Sequence, residues 1–111
     1  MRELTGIEEI LLVTIWRLKD QAYGVRIRQE ASRVLGKEFT YGNLYSALHQ
    51  LVAKKYIVST PGDTIPARRG RPRIIYAISP GGFEALVKAR KMNDKLWLGI
   101  SRFALEKERG G

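Results

Sequence analysis

The sequence predicts a fold that is mainly α with a small β-hairpin, and three observations carry that prediction. Three successive segments space their apolar residues for a helix, and two of them open on a threonine suited to cap one. Two later runs are rich in β-branched and aromatic residues and are separated by Pro, Gly and Arg. A last helical period begins at Ser79-Pro80 and continues to about Lys107.

At 111 residues the chain has the size of one domain with one core. It has no cysteine, so a disulfide framework and a thiolate metal site are excluded, and the lone His49 cannot assemble a metal cluster by itself. No cofactor is expected. The longest apolar run, Ile10 to Ile15 interrupted by Thr14, falls far short of the roughly 20 residues of a membrane span, and no basic-then-apolar leader opens the chain. The expected location is therefore cytoplasmic, with no membrane partner. Lys and Arg number 20 against 11 Asp and Glu, a net charge of +9 that favours a polyanionic partner over a merely well-solvated surface. Between Glu38 and Glu84 the only acid is Asp63, whereas Lys54, Lys55, Arg68, Arg69, Arg71 and Arg73 all fall there, so the positive field is concentrated mid-chain.

Thr5-Gly-Ile-Glu8 reads as a capping box, in which Thr5 accepts from a free backbone amide and Glu8 reaches back. Ile7, Ile10, Leu11, Thr14, Ile15 and Leu18 then follow at helical spacing to about Lys19. After a connector, Val25, Ile27, Ala31, Val34 and Leu35 define a second helix, with Gly36 where a helix usually stops. Thr40 caps a third, whose stripe of Leu44, Ala47, Leu48 and Leu51 runs to about Lys54. Tyr56 to Thr60 and Arg73 to Ile78 read as strands, and Pro61-Gly62, Pro66, Gly70 and Pro72 make their connection a long arginine-bearing loop. Ser79 and Pro80 then start a helix in which Phe83, Leu86, Val87, Leu96, Trp97, Ile100, Phe103 and Ala104 recur in period. Run to Lys107 it would be roughly 40 Å long, more than so small a core can cover.

The order helix, helix, helix, strand, loop, strand, helix is that of a winged helix-turn-helix plus a long C-terminal dimerisation helix, which divides the chain into residues 1–79 and 80–111. With the third helix's apolar stripe turned inward, Gly42, Asn43, Ser46, His49 and Gln50 lie outward beside the capping Thr40. Asn and Gln pair with adenine edges, and Ser and His reach bases or phosphates, so the face suits groove reading; an ordinary solvated face has the same polarity. Tyr41 and Tyr45 lie between faces, suited to core-edge packing or to phosphate contact. Arg69-Gly70-Arg71-Pro72-Arg73 resembles the core of an AT-hook, where glycine lets the backbone sit deep in a narrow minor groove flanked by arginines. With Arg68 these arginines are candidates for minor-groove or phosphate contact, the alternative being a solvated turn.

Ile10 to Trp16, Ala22-Tyr23-Gly24, Tyr41-Gly42-Asn43-Leu44-Tyr45-Ser46-Ala47-Leu48 with Leu51, and Gly70-Arg71 leading to Tyr76 and Ser79-Pro80-Gly81-Gly82 resemble the PadR family of transcriptional regulators. The resemblance covers about Leu4 to Leu86 and implies a dimeric winged-helix repressor on a palindromic operator. Two departures stand out. The family usually places a glycine after the third helix, where this chain has Lys55-Tyr56, and the short C-terminal part matches the compact subfamily with a single dimerisation helix. The resemblance also implies that a compact member can hold a flat aromatic compound at the dimer centre against a tryptophan of the last helix. That makes Trp97, with Trp16, Met92 and Leu96 as its nearest neighbours, the candidate effector site here, the alternative being that Trp97 at helical spacing packs as core.

The far half of the last helix is most simply covered by the same helix of a second copy, packed against the first helix. The expected homodimer surface comprises Ile7, Leu11, Leu86, Asn93, Leu96, Trp97, Ile100 and Phe103, with Asn93 either a register-fixing seam residue or solvent-facing. The alternatives are an RNA-binding or ribosome-associated winged-helix protein, since a basic wing also suits A-form backbone, and a protein-interaction module built on the long helix. An enzyme is not expected: His49 has no Ser or carboxylate partner at a motif spacing, and no glycine loop is arranged to cradle phosphates.

Overall fold

A computed structural model describes residues 4–64 and 72–110. The first helix, α1 (Gly6–Leu18), begins on the capping box: Thr5 Oγ1 accepts from the Glu8 amide at 3.1 Å, and the Thr5 amide donates to Glu8 Oε1 at 2.9 Å. A single 3-10 turn over Lys19–Gln21 leads to α2 (Gly24–Leu35), which ends at Gly36 in the left-handed region, φ 70°. Thr40 caps α3 (Tyr41–Ala53) by accepting from the Asn43 amide at 3.1 Å. The strands β1 (Ile57–Thr64) and β2 (Pro72–Ile78) then pair antiparallel, with Ile57 opposite Ile78 and Pro61 opposite Ile74. The chain closes with α4 (Pro80–Leu96) and α5 (Arg102–Gly110).

The core is a single cluster. Leu11, Leu12 and Ile15 of α1, Ile27 and Ala31 of α2, Leu44, Leu48 and Leu51 of α3, Tyr56 and Ile57 at the strand entry and Ala85 of α4 are all buried in it. Leu11 is fully enclosed, so it belongs to the protomer's own core and not to the exposed surface expected to meet a second copy. Leu86 is half-buried against the same cluster.

Two expectations are corrected by the chain's punctuation. Pro61-Gly62 does not end the first strand, which runs on to Thr64 with an irregularity in register between Pro61 and Thr64. A proline is tolerated at a sheet edge, and Gly62 admits the Ile75 side chain where a Cβ would lie 2.5 Å from it. The last helix is also not continuous. It stops at Leu96, Ile100 N donates to Trp97 O at 2.9 Å across a turn holding Gly99 at φ 79°, and Ser101 Oγ recaps the chain by accepting from the Ala104 amide. Glycine supplies the left-handed residue and serine the new start.

The exit from α3 is the tightest joint. Tyr56 N donates to Leu51 O at 3.0 Å and Lys55 N to Val52 O at 2.9 Å, the paired bonds of a Schellman motif, and they force Lys55 to φ 64°. Thus the backbone keeps the conformation that a glycine would hold there, with a lysine in it. Ser79 fastens the joint from the other side: its hydroxyl donates to Lys55 O at 2.6 Å and its amide to Tyr56 O at 3.0 Å. Gly82 lies so close that a Cβ would stand 2.2 Å from the Tyr56 carbonyl oxygen. Beside it, Lys54 Nζ donates to both Glu8 carboxylate oxygens at 2.7 Å, with side chains 11% and 6% exposed. Lys54 is therefore spent on tying α3 to α1 and does not add to the free basic surface.

Because a left-handed lysine is strained by about 1–2 kcal/mol and glycine's entropic cost is about 0.5–1 kcal/mol, Lys55→Gly is expected to raise stability by about 0.5–1 kcal/mol, read as a higher denaturant midpoint at constant slope. Burial raises the Glu8 pKa, but the bonds from Lys54 and Thr5 outweigh it and hold the carboxyl below its ordinary value. The folded form then binds its proton less readily than the unfolded one. The pair's contribution is complete above the unfolded glutamate pKa of about 4.3 and is lost as pH falls through the folded value. Glu8→Gln should cost about 2 kcal/mol at neutral pH, less than the roughly 3–5 kcal/mol of a fully buried pair because solvent still reaches Lys54, and the deficit should close in acid. Denaturant melts of both proteins at neutral pH and near pH 3 measure it.

Candidate nucleic-acid interface

Helix α3 separates its two faces sharply. Leu44, Leu48 and Leu51 are buried, whereas Thr40, Tyr41, Gly42, Asn43, Tyr45, Ser46, His49 and Gln50 are all exposed. The arrangement follows from an apolar stripe at i, i+4 and i+7 docking on α1 and α2, which turns the intervening polar residues outward. Asn43, Ser46 and Gln50 line one wall of a groove of about 480 Å³, whose other wall carries Ile7 and Glu8 of α1 and Leu35, Lys37, Glu38 and Phe39 ahead of α3.

Tyr41 and Tyr45 neither pack at the core edge nor stand free. Their rings stack with centroids 6.2 Å apart and planes at 17°, and the Arg28 guanidinium lies 4.4 Å above the Tyr41 ring. The Tyr45 hydroxyl rests against the first residue of α2, where a Cβ on Gly24 would come within 2.5 Å of it. Burial, and then the neighbouring Tyr45 hydroxyl, raise the pKa of the Tyr76 phenol on β2. Tyr45 of α3 and Tyr76 of the strand are thus near enough to act on one another electrostatically.

The base of the hairpin is fixed to the same place. Tyr76 N donates to Ala22 O at 2.9 Å, Tyr23 forms a β-bridge with Ile75, and the Arg73 guanidinium lies 4.0 Å above the Tyr23 ring. Two-stranded hairpins are marginal alone, so this tie to the segment before α2 orients the wing relative to α3. The structure brings Arg73 into the tyrosine cluster; Arg68, Arg69 and Arg71 lie outside the described residues. Arg28 and Glu38, which the sequence reading did not single out, also belong here, as does Tyr23, quoted there only for the family resemblance. Arg28 looks like any solvated base on a helix until the fold places Tyr41 under it.

The expected pairing surface divides differently. Ile7, Trp16, Phe83, Val87, Met92, Leu96, Trp97, Leu98, Ile100 and Phe103 are exposed, and Asn93 is too. Trp16 packs edge-on to Phe83, centroids 5.5 Å apart, at the start of α4, whereas Trp97 caps the other end, about 20 Å further at 1.5 Å per residue. One copy therefore does not bring the two tryptophans together. Among the described residues no cluster of His, Asp and Glu could hold a metal ion, and no helix is long and apolar enough to cross a membrane.

Three helices, a paired hairpin tied back to the second of them, and an outward polar face on the third define a winged helix-turn-helix regulator. The profile described as "Transcriptional regulator PadR-like family" matches residues 11–88, and the chain belongs to that family of DNA-binding transcriptional regulators. Among solved structures, RosR of H. salinarum superposes with a TM-score of 0.71 at 24% identity over 98% of this chain and 93% of its own. A PadR family transcription regulator from Clostridium difficile R20291 gives 0.57 at 27% identity, covering 82% and 90%. A PadR-like transcription factor from Bacteroides fragilis gives 0.64 at 21% identity, covering 82% and 84%. No curated protein sequence matches.

A methyl group at position 24 would displace the Tyr45 ring without touching the core. Gly24→Ala is expected to change stability by less than about 0.5 kcal/mol while weakening duplex DNA binding about fivefold, measured by thermal melts alongside titration of a labelled duplex.

Proposed function

We propose that the chain is a repressor that binds a palindromic operator as a homodimer, with α3 in the major groove and the arginine-bearing loop at the minor groove or backbone. The observation that carries the reading is the joining of two features: an exposed hydrogen-bonding face on α3, from Asn43 to Gln50, and a hairpin whose base is tied through Tyr76, Tyr23 and Arg73 to the segment leading into α2, against whose first residue Tyr45 of α3 also rests. Phosphate contacts from Tyr41, Tyr45 and the arginines would set register, while Asn43, Ser46, His49 and Gln50 would read base edges. Residues 1–79 act as the reading unit and residues 80–111 as the pairing unit, although the first turns of α4 share the core.

Pairing is supported by the run of exposed apolar residues on α4 and beyond, which a lone soluble copy has no reason to present. Two-fold pairing makes the bound site palindromic, because each copy presents the same face to its half-site. An aromatic effector would stack on Trp97; if Trp16 takes part as well, it must come from the second copy.

Selection of bound duplexes from random sequence at two salt concentrations tests the reading, with sedimentation to fix the stoichiometry. Arg71→Ala should weaken binding to A·T-rich duplexes most, substitutions at Asn43 or Gln50 should change the selected sequence, and Lys54→Ala should lower stability instead. Indifference to duplex DNA in dilute buffer, or equal losses on every sequence for every variant, would overturn it.

A further inference from the structure

An acid stands where a DNA-facing surface should have none. Glu38 lies 76% exposed on the groove that Asn43, Ser46 and Gln50 also line, in the path of an approaching polyanion. Its carboxylate accepts from an amine of Arg28. That arginine is built in, not draped: its side chain is 22% exposed, its guanidinium carbon lies 4.4 Å from the centre of the Tyr41 ring, and its Nε is a buried donor with no partner among the described residues. Stacking fixes the guanidinium before any ligand arrives, so little further freedom is lost on binding. A planar fork of donors matches the oxygens of a phosphodiester, and Tyr41, in the first turn of α3, ties that fork to the reading helix.

We propose that Arg28 is a phosphodiester clamp of the DNA interface, oriented by Tyr41, and that Glu38 holds it in the free protein as an autoinhibitory latch exchanged for a DNA phosphate on binding. The proposal rests on α3 being the DNA face. The exchange conserves charge at the guanidinium, which gives up one anionic oxygen for another, while the released carboxylate turns to solvent. An exposed ion pair is weak, as an exchangeable latch has to be. Glu30, the acid of α2, is held by Arg33 at 3.1 Å, which leaves Glu38 as the acid that Arg28 meets.

The test uses the whole 111-residue chain with a duplex recovered by selection and a random-sequence duplex of the same length, titrated across a salt series beside thermal melts. Arg28→Ala should weaken both duplexes about tenfold and reduce the slope of log affinity against log salt by about one. Arg28→Lys should keep the slope and recover only part of the affinity, since an ammonium neither stacks nor forks. Glu38→Gln should strengthen both complexes about threefold. Wild-type binding with an unchanged slope in Arg28→Ala overturns the clamp, and Glu38→Gln binding no tighter than wild type overturns the latch. Should Arg28→Ala melt markedly lower, Arg28→Lys decides, because affinity equal to wild type removes the need for an oriented fork. A wild-type chain that ignores both duplexes overturns the DNA reading and this proposal together.

Discussion

Three consecutive residues, Lys54 to Tyr56, join α1, α3, the start of the hairpin and the entrance to α4. The lysine ammonium of the first is anchored in the Glu8 carboxylate of α1, the second is bent into the left-handed region, and the carbonyls of the second and third are gripped by Ser79 at the entrance to α4. The hairpin leaves from the same point. Because α3, the wing and the C-terminal arm all diverge there, an angular error at this joint would be carried into each. Glycine at position 82 is what permits the approach, as no side chain fits beneath the Tyr56 carbonyl.

From that joint outward, the candidate interface is organised by aromatic rings and not by charge alone. Tyr41 and Tyr45 stack on one another while remaining exposed, and two guanidinium groups lie over tyrosine rings, Arg28 over Tyr41 and Arg73 over Tyr23. A long flexible cation on an open surface would surrender rotamer freedom to each contact; one already seated on a ring surrenders less. The positive charge of the chain is thereby given direction as well as magnitude.

The first three helices were legible almost to the residue because their limits are written in local chemistry: Thr5 with Glu8, Gly36, and Thr40. The inward and outward faces of α3 followed from period alone. What escaped the reading was tertiary. Charge counting treats Lys54 as a free base, yet the fold buries it opposite Glu8, and period counting treats Leu11 as one more residue on a helix face although it lies at the centre of the core. The break after Leu96 was present in the sequence as Gly99 and Ser101, but the recurring Trp97, Ile100 and Phe103 outweighed two punctuation marks. Lys55 shows the converse, where the expected glycine is absent and the backbone conformation persists because its hydrogen bonds enforce it.

The turn at Gly99 leaves α5 as a nine-residue segment in which every residue is exposed. Peptides shorter than about 12–15 residues hold a helix only marginally in water. Were a second surface to lie on Leu98, Ile100 and Phe103, association and the ordering of this segment would be a single event there. Part of the contact energy would then be consumed in that ordering, which would brake affinity and ease release.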